Sequence, residues 1–343
     1  AFGAIPLVAL EGSRATLEAA LRYLLFALLG SALYLLGTAL LHGAYGTLDL
    51  VLLGPLVKVD AATVLAAVLM TAGLLAKTAL FPLHLWLPPA HGGAPPAVSA
   101  VLSALVVKAA FFLLVRLWFG PLHALLTPGL ASLLAVLGAA AILVGGVMAL
   151  RQARLKMLVA YSTVAQLGYL FLMVPLALAA GAEGAGAWLG GVLQAASHAM
   201  AKAAMFMAAG VMAAALGGDR IAALGGAGRA APAAVLAFAL AGLSLMGIPP
   251  SGGFTAKWLL LGASIATGQW WWALAVVAGG LLTGGYLYRV LSVALGEGGA
   301  TPAPAPWRPQ LVALGLAVLS VLLGVLPLYA FGLVQVGRLD LAP

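Results

Sequence analysis

The sequence predicts an all-α polytopic membrane protein, and three observations carry that prediction. Hydrophobic residues fill 64% of the 343 positions and charged residues 7%, against about 25% charged in ordinary soluble domains. A soluble fold cannot bury so much apolar surface, because surface-to-volume scaling forces a polar exterior. The apolar residues fall into ten consecutive segments, most of them near the roughly 20 residues that span a bilayer.

The segments run over about 1–10, 20–42, 61–83, 96–119, 129–150, 157–180, 187–216, 232–267, 270–295 and 309–333. The first, "AFGAIPLVAL", covers about 15 Å of helix. It lacks the basic n-region and cleavage site of a signal peptide, and it reads as the tail of a helix whose front precedes Ala1. The 61–83 run holds Pro82, five residues after Lys77. The 232–267 run is too long for one straight helix and holds Pro249-Pro250, seven residues before Lys257. Proline removes a backbone donor and clashes with the preceding turn, so both segments are expected to be broken. Broken helices beside ionisable groups mark sites in transporters. No linker separates two soluble domains, and 1–343 reads as one membrane domain. The 44 glycines suit close helix packing in lipid.

The net charge of +8 comes from scattered basic residues. They lack the aromatic interleaving of a nucleic-acid surface, so no nucleic-acid partner is expected. The chain has no cysteine, which excludes disulfides, thiol redox chemistry and cysteine-ligated iron–sulfur centres. Its five histidines are dispersed, and neither a metal site nor a bound cofactor is expected. No phosphate loop or nucleophile–base pair occurs.

Loop charges give an orientation. The loops after odd-numbered segments, with the adjoining segment ends, hold Arg14, Arg22, Arg151, Arg154, Lys156, Arg220, Arg229, Arg289 and Arg308, while the other side holds Lys58, Arg116 and Arg338. Nine against three makes the first side cytoplasmic by the positive-inside rule, with the C-terminus on the outer side. Four basic residues remain inside apolar segments: Lys77, Lys108, Lys202 and Lys257. The acids all lie at segment ends or in loops, so no carboxylate mid-membrane is available to pair these lysines.

A lysine at the centre of a membrane helix costs about 2.5–3.5 kcal/mol on insertion scales. Lys108, Lys202 and Lys257 are central, and intramembrane ionisable residues usually mark ion paths. Lys77 lies near a segment end and fits snorkelling to the interface equally well. Burial disfavours the charged form of an amine, so a series of such groups, helped by internal water, can relay protons. His198 and Lys202 in "SHAMAKAAMF" are i,i+4 neighbours on one helix face. They could share a proton, or His198 could be a neutral core residue bonded to a backbone carbonyl. His84 and His91 in "FPLHLWLPPAH" could extend the relay, but an interfacial place is favoured, with Trp86 as an interface aromatic.

Four stretches, "LAKTALFPLHLWLPPAHGGAPPAVSAVLSALVVKAAFFLLVR", "ARLKMLVAYSTVAQLGYLF", "SHAMAKAAMFMAAG" and "LAGLSLMGIPPSGGFTAKWLL", resemble the antiporter-like subunits of respiratory complex I. The same family includes subunits of Mrp-type cation/proton antiporters and membrane-bound hydrogenases. The resemblance implies a fourteen-helix fold with two inverted five-helix repeats and one broken helix in each. The ten segments would be the end of the fifth to the fourteenth helix: 1–119 the remainder of the first repeat, 129–295 the second, and 309–333 the final helix. It also implies roles: Lys77 as the lysine of the first broken helix, Lys108 as the connecting lysine, His198 and Lys202 as the central relay, and Lys257 as the terminal lysine, where some members have Glu. The glutamate that partners the first lysine in the family would lie before Ala1. Ser103 and Gln166 stand where some members have His.

The implied function is proton translocation in a redox-driven multisubunit complex of the prokaryotic cytoplasmic membrane. Partners would be other membrane subunits, including neighbouring antiporter-like ones, with the redox chemistry lying in them. Alternatives are an Mrp-type antiporter subunit moving protons and Na+, a structural membrane scaffold, and a carrier of a small organic anion.

Overall fold

The computed structural model describes residues 2–179, 181–297 and 304–326. After a 3-10 turn at Phe2–Ala4 and one α turn at Ile5–Val8, the long helices follow in order. They are α1 Arg14–Tyr45, α2 Ala61–Thr78, α3 Leu87–Gly93, α4 Pro96–Trp118, α5 Pro128–Leu150, α6 Leu155–Ala177 and α7 Gly181–Leu216. Then come α8 Pro232–Met246, α9 Gly252–Ala266, α10 Trp271–Ala294 and α11 Trp307–Leu322. Seven helices among the described residues are long and apolar enough to cross a bilayer, and no strand occurs among them beyond an isolated bridge between Arg154 and Arg220. The expected segments are present with shifted ends. The first is reduced to the two short turns, and the end of 309–333, with the C-terminus, lies outside the described residues.

Local chemistry sets the ends. Side-chain oxygens accept from orphan amides at helix starts: Ser13 from Thr16, Asp60 from Thr63 and Ser251 from Phe254, as N-caps do. Gly46 closes α1 in the left-handed conformation at φ 69°, which glycine adopts without steric cost.

Both expected breaks occur. α2 stops at Thr78, and Pro82 lies in the irregular stretch before α3. The Trp86 indole donates to the Ala76 carbonyl at 2.9 Å, satisfying an oxygen of the broken end, as a nonaqueous setting demands. α8 stops at Met246, Gly247 turns the chain at φ 92°, and α9 restarts after Pro249-Pro250. In a continuous helix the Leu245 carbonyl would accept from residue 249. Proline has no N–H to give, so that oxygen is left for a side chain.

α7 packs against α4, α6, α8, α9 and α11, and α6 is buried at every position from Ser162 to Ala177. Small residues bring the helices together. A Cβ on Gly168 of α6 would lie 2.2 Å from the Gly138 carbonyl oxygen of α5. The outward face of α1 carries exposed Leu21, Leu25, Leu28, Leu29, Leu35 and Leu36, a surface suited to lipid or apolar partners.

Loops assigned to one side by charge do meet. Leu155 N–H donates to Asp219 O at 2.7 Å, Ile221 N–H to Ala153 O at 2.9 Å, Gly226 N–H to Gly296 O at 3.0 Å and Ala305 N–H to Ala230 O at 2.8 Å. Lys156 Nζ reaches Ala94 O at 2.9 Å, and Arg154 pairs with Asp219 at 3.0 Å. On the opposite side, Gln269 donates to Pro175 O at 3.5 Å.

One expectation is corrected. Trp86, His84 and His91 were expected at the interface, yet Trp86 is 1%, His84 7% and His91 0% exposed. The tryptophan is drawn inward by the Ala76 carbonyl and by stacking on Tyr23 at 4.6 Å. The histidine ring stacks on Phe206 of α7 at 4.5 Å.

Candidate functional site

The lysines occupy different surroundings. Lys77, in the last turn of α2, is half-buried and lines a cavity of about 420 Å³ with Tyr23, Tyr34, Trp86, Leu105 and Ala109. Its aliphatic stem lies over Gly30 of α1, where an added Cβ would come within 2.9 Å of Lys77 Cγ. It therefore neither reaches a helix carbonyl nor joins the other lysines.

Lys108 is buried on the other face of α4. A π-helical turn, Leu102–Val106, precedes it, a distortion frequent at functional sites. The Lys108 ammonium donates to the Ser103 carbonyl. The Ser103 hydroxyl meets Thr163 Oγ1 of α6 at 3.0 Å, and Thr163 donates to Val159 O at 3.1 Å. Lys202 of α7 donates to that same Val159 carbonyl at 3.1 Å and to the Ser162 hydroxyl. Hydroxyls and carbonyls of α6 thus join Lys108 to Lys202 through the core.

Lys257 of α9 is buried as well. Its ammonium donates to the Leu245 carbonyl freed by Pro249 and stands 4.2 Å from the centre of the Tyr169 ring, a cation–π placement. Gln166 Nε2 donates to the same Leu245 carbonyl at 3.0 Å and is held by Gln194 through its Oε1 at 3.0 Å.

His198 lies among these groups, close enough to Lys108, Lys202 and Lys257 to act on all three electrostatically. His91 shares the neighbourhood of Lys108 and Lys202. Neither ring nitrogen of His91 or His198 has a protein hydrogen-bond partner. The carbonyl-bonded core form considered for His198 is therefore not what the structure holds. Buried polar groups of this kind are ordinarily satisfied by internal water. His84 sits in the first break against Phe81 at 5.5 Å, outside the lysine cluster. Every acid whose side chain is described is at least partly exposed, so the amines are neutralised by no carboxylate among them.

Sequence reasoning singled out Gln166 but missed the other α6 partners. Thr163, Gln166 and Tyr169 follow at three-residue spacing in "YSTVAQLGYL", with Ser162 four residues before Gln166. Their three- and four-residue spacing gives one polar stripe, which was the available signal.

A bundle of apolar helices, twice broken at proline and with amines in its interior, defines a polytopic membrane protein built like the antiporter-like subunits. Residues 2–283 match the family described as NADH:quinone oxidoreductase/Mrp antiporter, transmembrane, and the chain belongs to that family. It is similar to NADH-quinone oxidoreductase subunit N of Desulforudis audaxviator, with 36% identity over 304 residues, 87% of this chain and 59% of that protein. The chain therefore spans about three fifths of that curated relative. Among solved structures, a chain of an archaeal membrane-bound sulfane sulfur reductase, a respiratory membrane complex, superposes with a TM-score of 0.85 at 27% identity, covering 97% of this chain and 68% of that one. A chain of the Mrp complex from Dietzia superposes at 0.84 and 26% identity, covering 95% and 68%.

Proposed function

We propose that the chain is a proton-translocating subunit of a redox-driven multisubunit membrane complex. Protons move along Lys77, Lys108, His198, Lys202 and Lys257, with His91 beside the central pair. The observation that carries this reading is the buried convergence of Lys108 and Lys202 on one hydrogen-bonded network with α6, beside His91 and His198, whose ring nitrogens have no protein partner and call for internal water. A lysine in a membrane interior costs about 2.5–3.5 kcal/mol, and a scaffold gains nothing from keeping two of them on one hydrogen-bonded network with a third buried nearby.

In this reading a charge change in a neighbouring subunit acts first on Lys77, which faces its own cavity. The proton then passes by way of Lys108 to the cluster around His198 and on to Lys257. The chain's part is to hold amines, hydroxyls and internal water in line, while electron transfer belongs to partner subunits. The membrane is the prokaryotic cytoplasmic membrane, with the joined arginine-rich loops on the cytoplasmic side and the C-terminus outside. Residues 1–119 are the remainder of the first inverted repeat and 129–295 the second, each with one broken helix.

The test is proton movement in vesicles holding the protein with its accompanying membrane subunits. Lys108→Ala and Lys257→Ala should each abolish it, and unchanged movement would favour a scaffold. The likeness to the Mrp complex supports a second reading, an Mrp-type cation/proton antiporter subunit. Redox subunits that co-purify would support the first reading, and Na+-driven proton exchange without them would support the second.

A further inference from the structure

The hydrogen bonds around the lysines form two islands. One joins Lys108, Ser103, Thr163, Val159, Lys202 and Ser162. The other joins Lys257, Leu245, Gln166, Gln194 and Thr283. Their nearest α6 members, Thr163 and Gln166, are three residues apart, about 4.5 Å of helix rise. Gln166 cannot carry a proton between the islands. Its amide nitrogen donates to Leu245 O and Thr283, and its oxygen accepts from Gln194. The Leu245 carbonyl that it shares with Lys257 has no proton to pass on.

The group that stands between the islands is the hydroxyl of Tyr286 on α10. The residue is fully buried. Its hydroxyl faces Ser162 of the first island and Gln166 and Thr283 of the second, yet it forms no well-made hydrogen bond to any protein group. Tyr169, whose ring lies under the Lys257 ammonium, is also in its neighbourhood. A phenolic hydroxyl both donates and accepts. It can take a proton on a lone pair and release its own with no change in net charge.

We propose that Tyr286 is the movable link that closes the proton path between Lys202 and Lys257. When the Ser162 hydroxyl turns from the Val159 carbonyl, which it bonds at 2.8 Å, to Tyr286, the tyrosine accepts the proton that the Lys202 ammonium passes through the serine. Turned toward Thr283, it releases its own proton through internal water to the neutral Lys257 amine. Lys202 ends neutral, Lys257 ends as ammonium, and the tyrosine and serine are regenerated.

The proposal rests on the relay reading above, and the experiment separates the two. The protein, purified with its accompanying membrane subunits, is reconstituted into vesicles, and a pH-gradient dye reads proton entry under an imposed potassium diffusion potential. Tyr286→Phe keeps the ring and its packing and removes only the hydroxyl. Expected are at least tenfold slower proton entry, an unchanged melting temperature and an unchanged subunit composition. Ser162→Ala should slow entry similarly, and the double variant should be no slower than the slower single one, because both cut the same line. Wild-type entry in Tyr286→Phe while Lys257→Ala is inactive overturns the link and leaves the relay standing. Wild-type entry in both overturns the relay and the link with it. Effects that multiply in the double variant, or a rate loss that tracks a lowered melting temperature, make Tyr286 a core aromatic and overturn the link.

Discussion

Replacing Lys202 by methionine should abolish proton movement without weakening the fold. Lys202 is 0% exposed and donates to Val159 O at 3.1 Å and to the Ser162 hydroxyl. Membrane insertion of a lysine costs about 2.5–3.5 kcal/mol, and hydrogen bonds to a charged group return about 1.5–3 kcal/mol each, so the two bonds roughly offset the cost. Replacing a buried charged group by an apolar side chain of similar volume is often neutral or stabilising by about 1–4 kcal/mol. The partners are not orphaned by the change, since Ser162 itself donates to Val159 O at 2.8 Å. Methionine fills a similar linear volume, whereas alanine would leave a cavity and confuse the comparison. The assay pairs tryptophan-fluorescence melting of the purified protein with dye-read proton entry into vesicles. The expected result is a melting temperature equal to or above wild type, with proton entry lost. A protein several degrees less stable but still moving protons would make Lys202 a structural pin joining α7 to α6, and would refute the reasoning.

Two further predictions concern the frame that holds the amines. Gly168→Ala places a methyl 2.2 Å from the Gly138 carbonyl oxygen, a backbone atom that cannot rotate away. The α5–α6 pair should lose about 1–3 kcal/mol, as overpacked cores do, read as a lower melting temperature. Asp219→Asn removes the charge pair with Arg154, whose side chains are 53% and 15% exposed for Arg154 and Asp219. It should cost less than about 1 kcal/mol, and the cost should vanish at high salt. The backbone bonds Leu155 N–H to Asp219 O and Ile221 N–H to Ala153 O continue to join the two loops.

The fold was legible where one-dimensional chemistry decides it. Segment length, the prolines at 82 and 249–250, and the four lysines outside the loops placed the helices, the breaks and the buried amines. The sequence could not show which face of each helix turns inward. Trp86 and His91 read as interfacial because aromatic and imidazole groups next to prolines usually sit at headgroup level. Here the broken end of α2 supplies a carbonyl that the indole satisfies, and Phe206 supplies a stacking face. The same limit hid Tyr286. Nothing in "GGYLYR" separates the fully buried Tyr286 from Tyr288, which is 75% exposed. Only packing against α6 tells them apart.

The two breaks look alike in sequence and differ in what they do with a freed carbonyl, and this separates the two ends of the lysine series. At the second break Pro249 leaves Leu245 O without its helical donor, and Lys257, reaching back from the restarted helix, fills that need. Its ammonium is held in place by the backbone and by the Tyr169 ring. At the first break the Ala76 carbonyl of the helix end accepts from Ala79 N–H at 3.3 Å and from the Trp86 indole at 2.9 Å, and from no lysine. Lys77 instead lines a cavity between α1, α2 and α4. An amine tied to a carbonyl holds its position through a change of charge, whereas an amine in a cavity can answer a field applied from outside the chain. The difference assigns sensing to Lys77 and retention to Lys257 within the proposed relay.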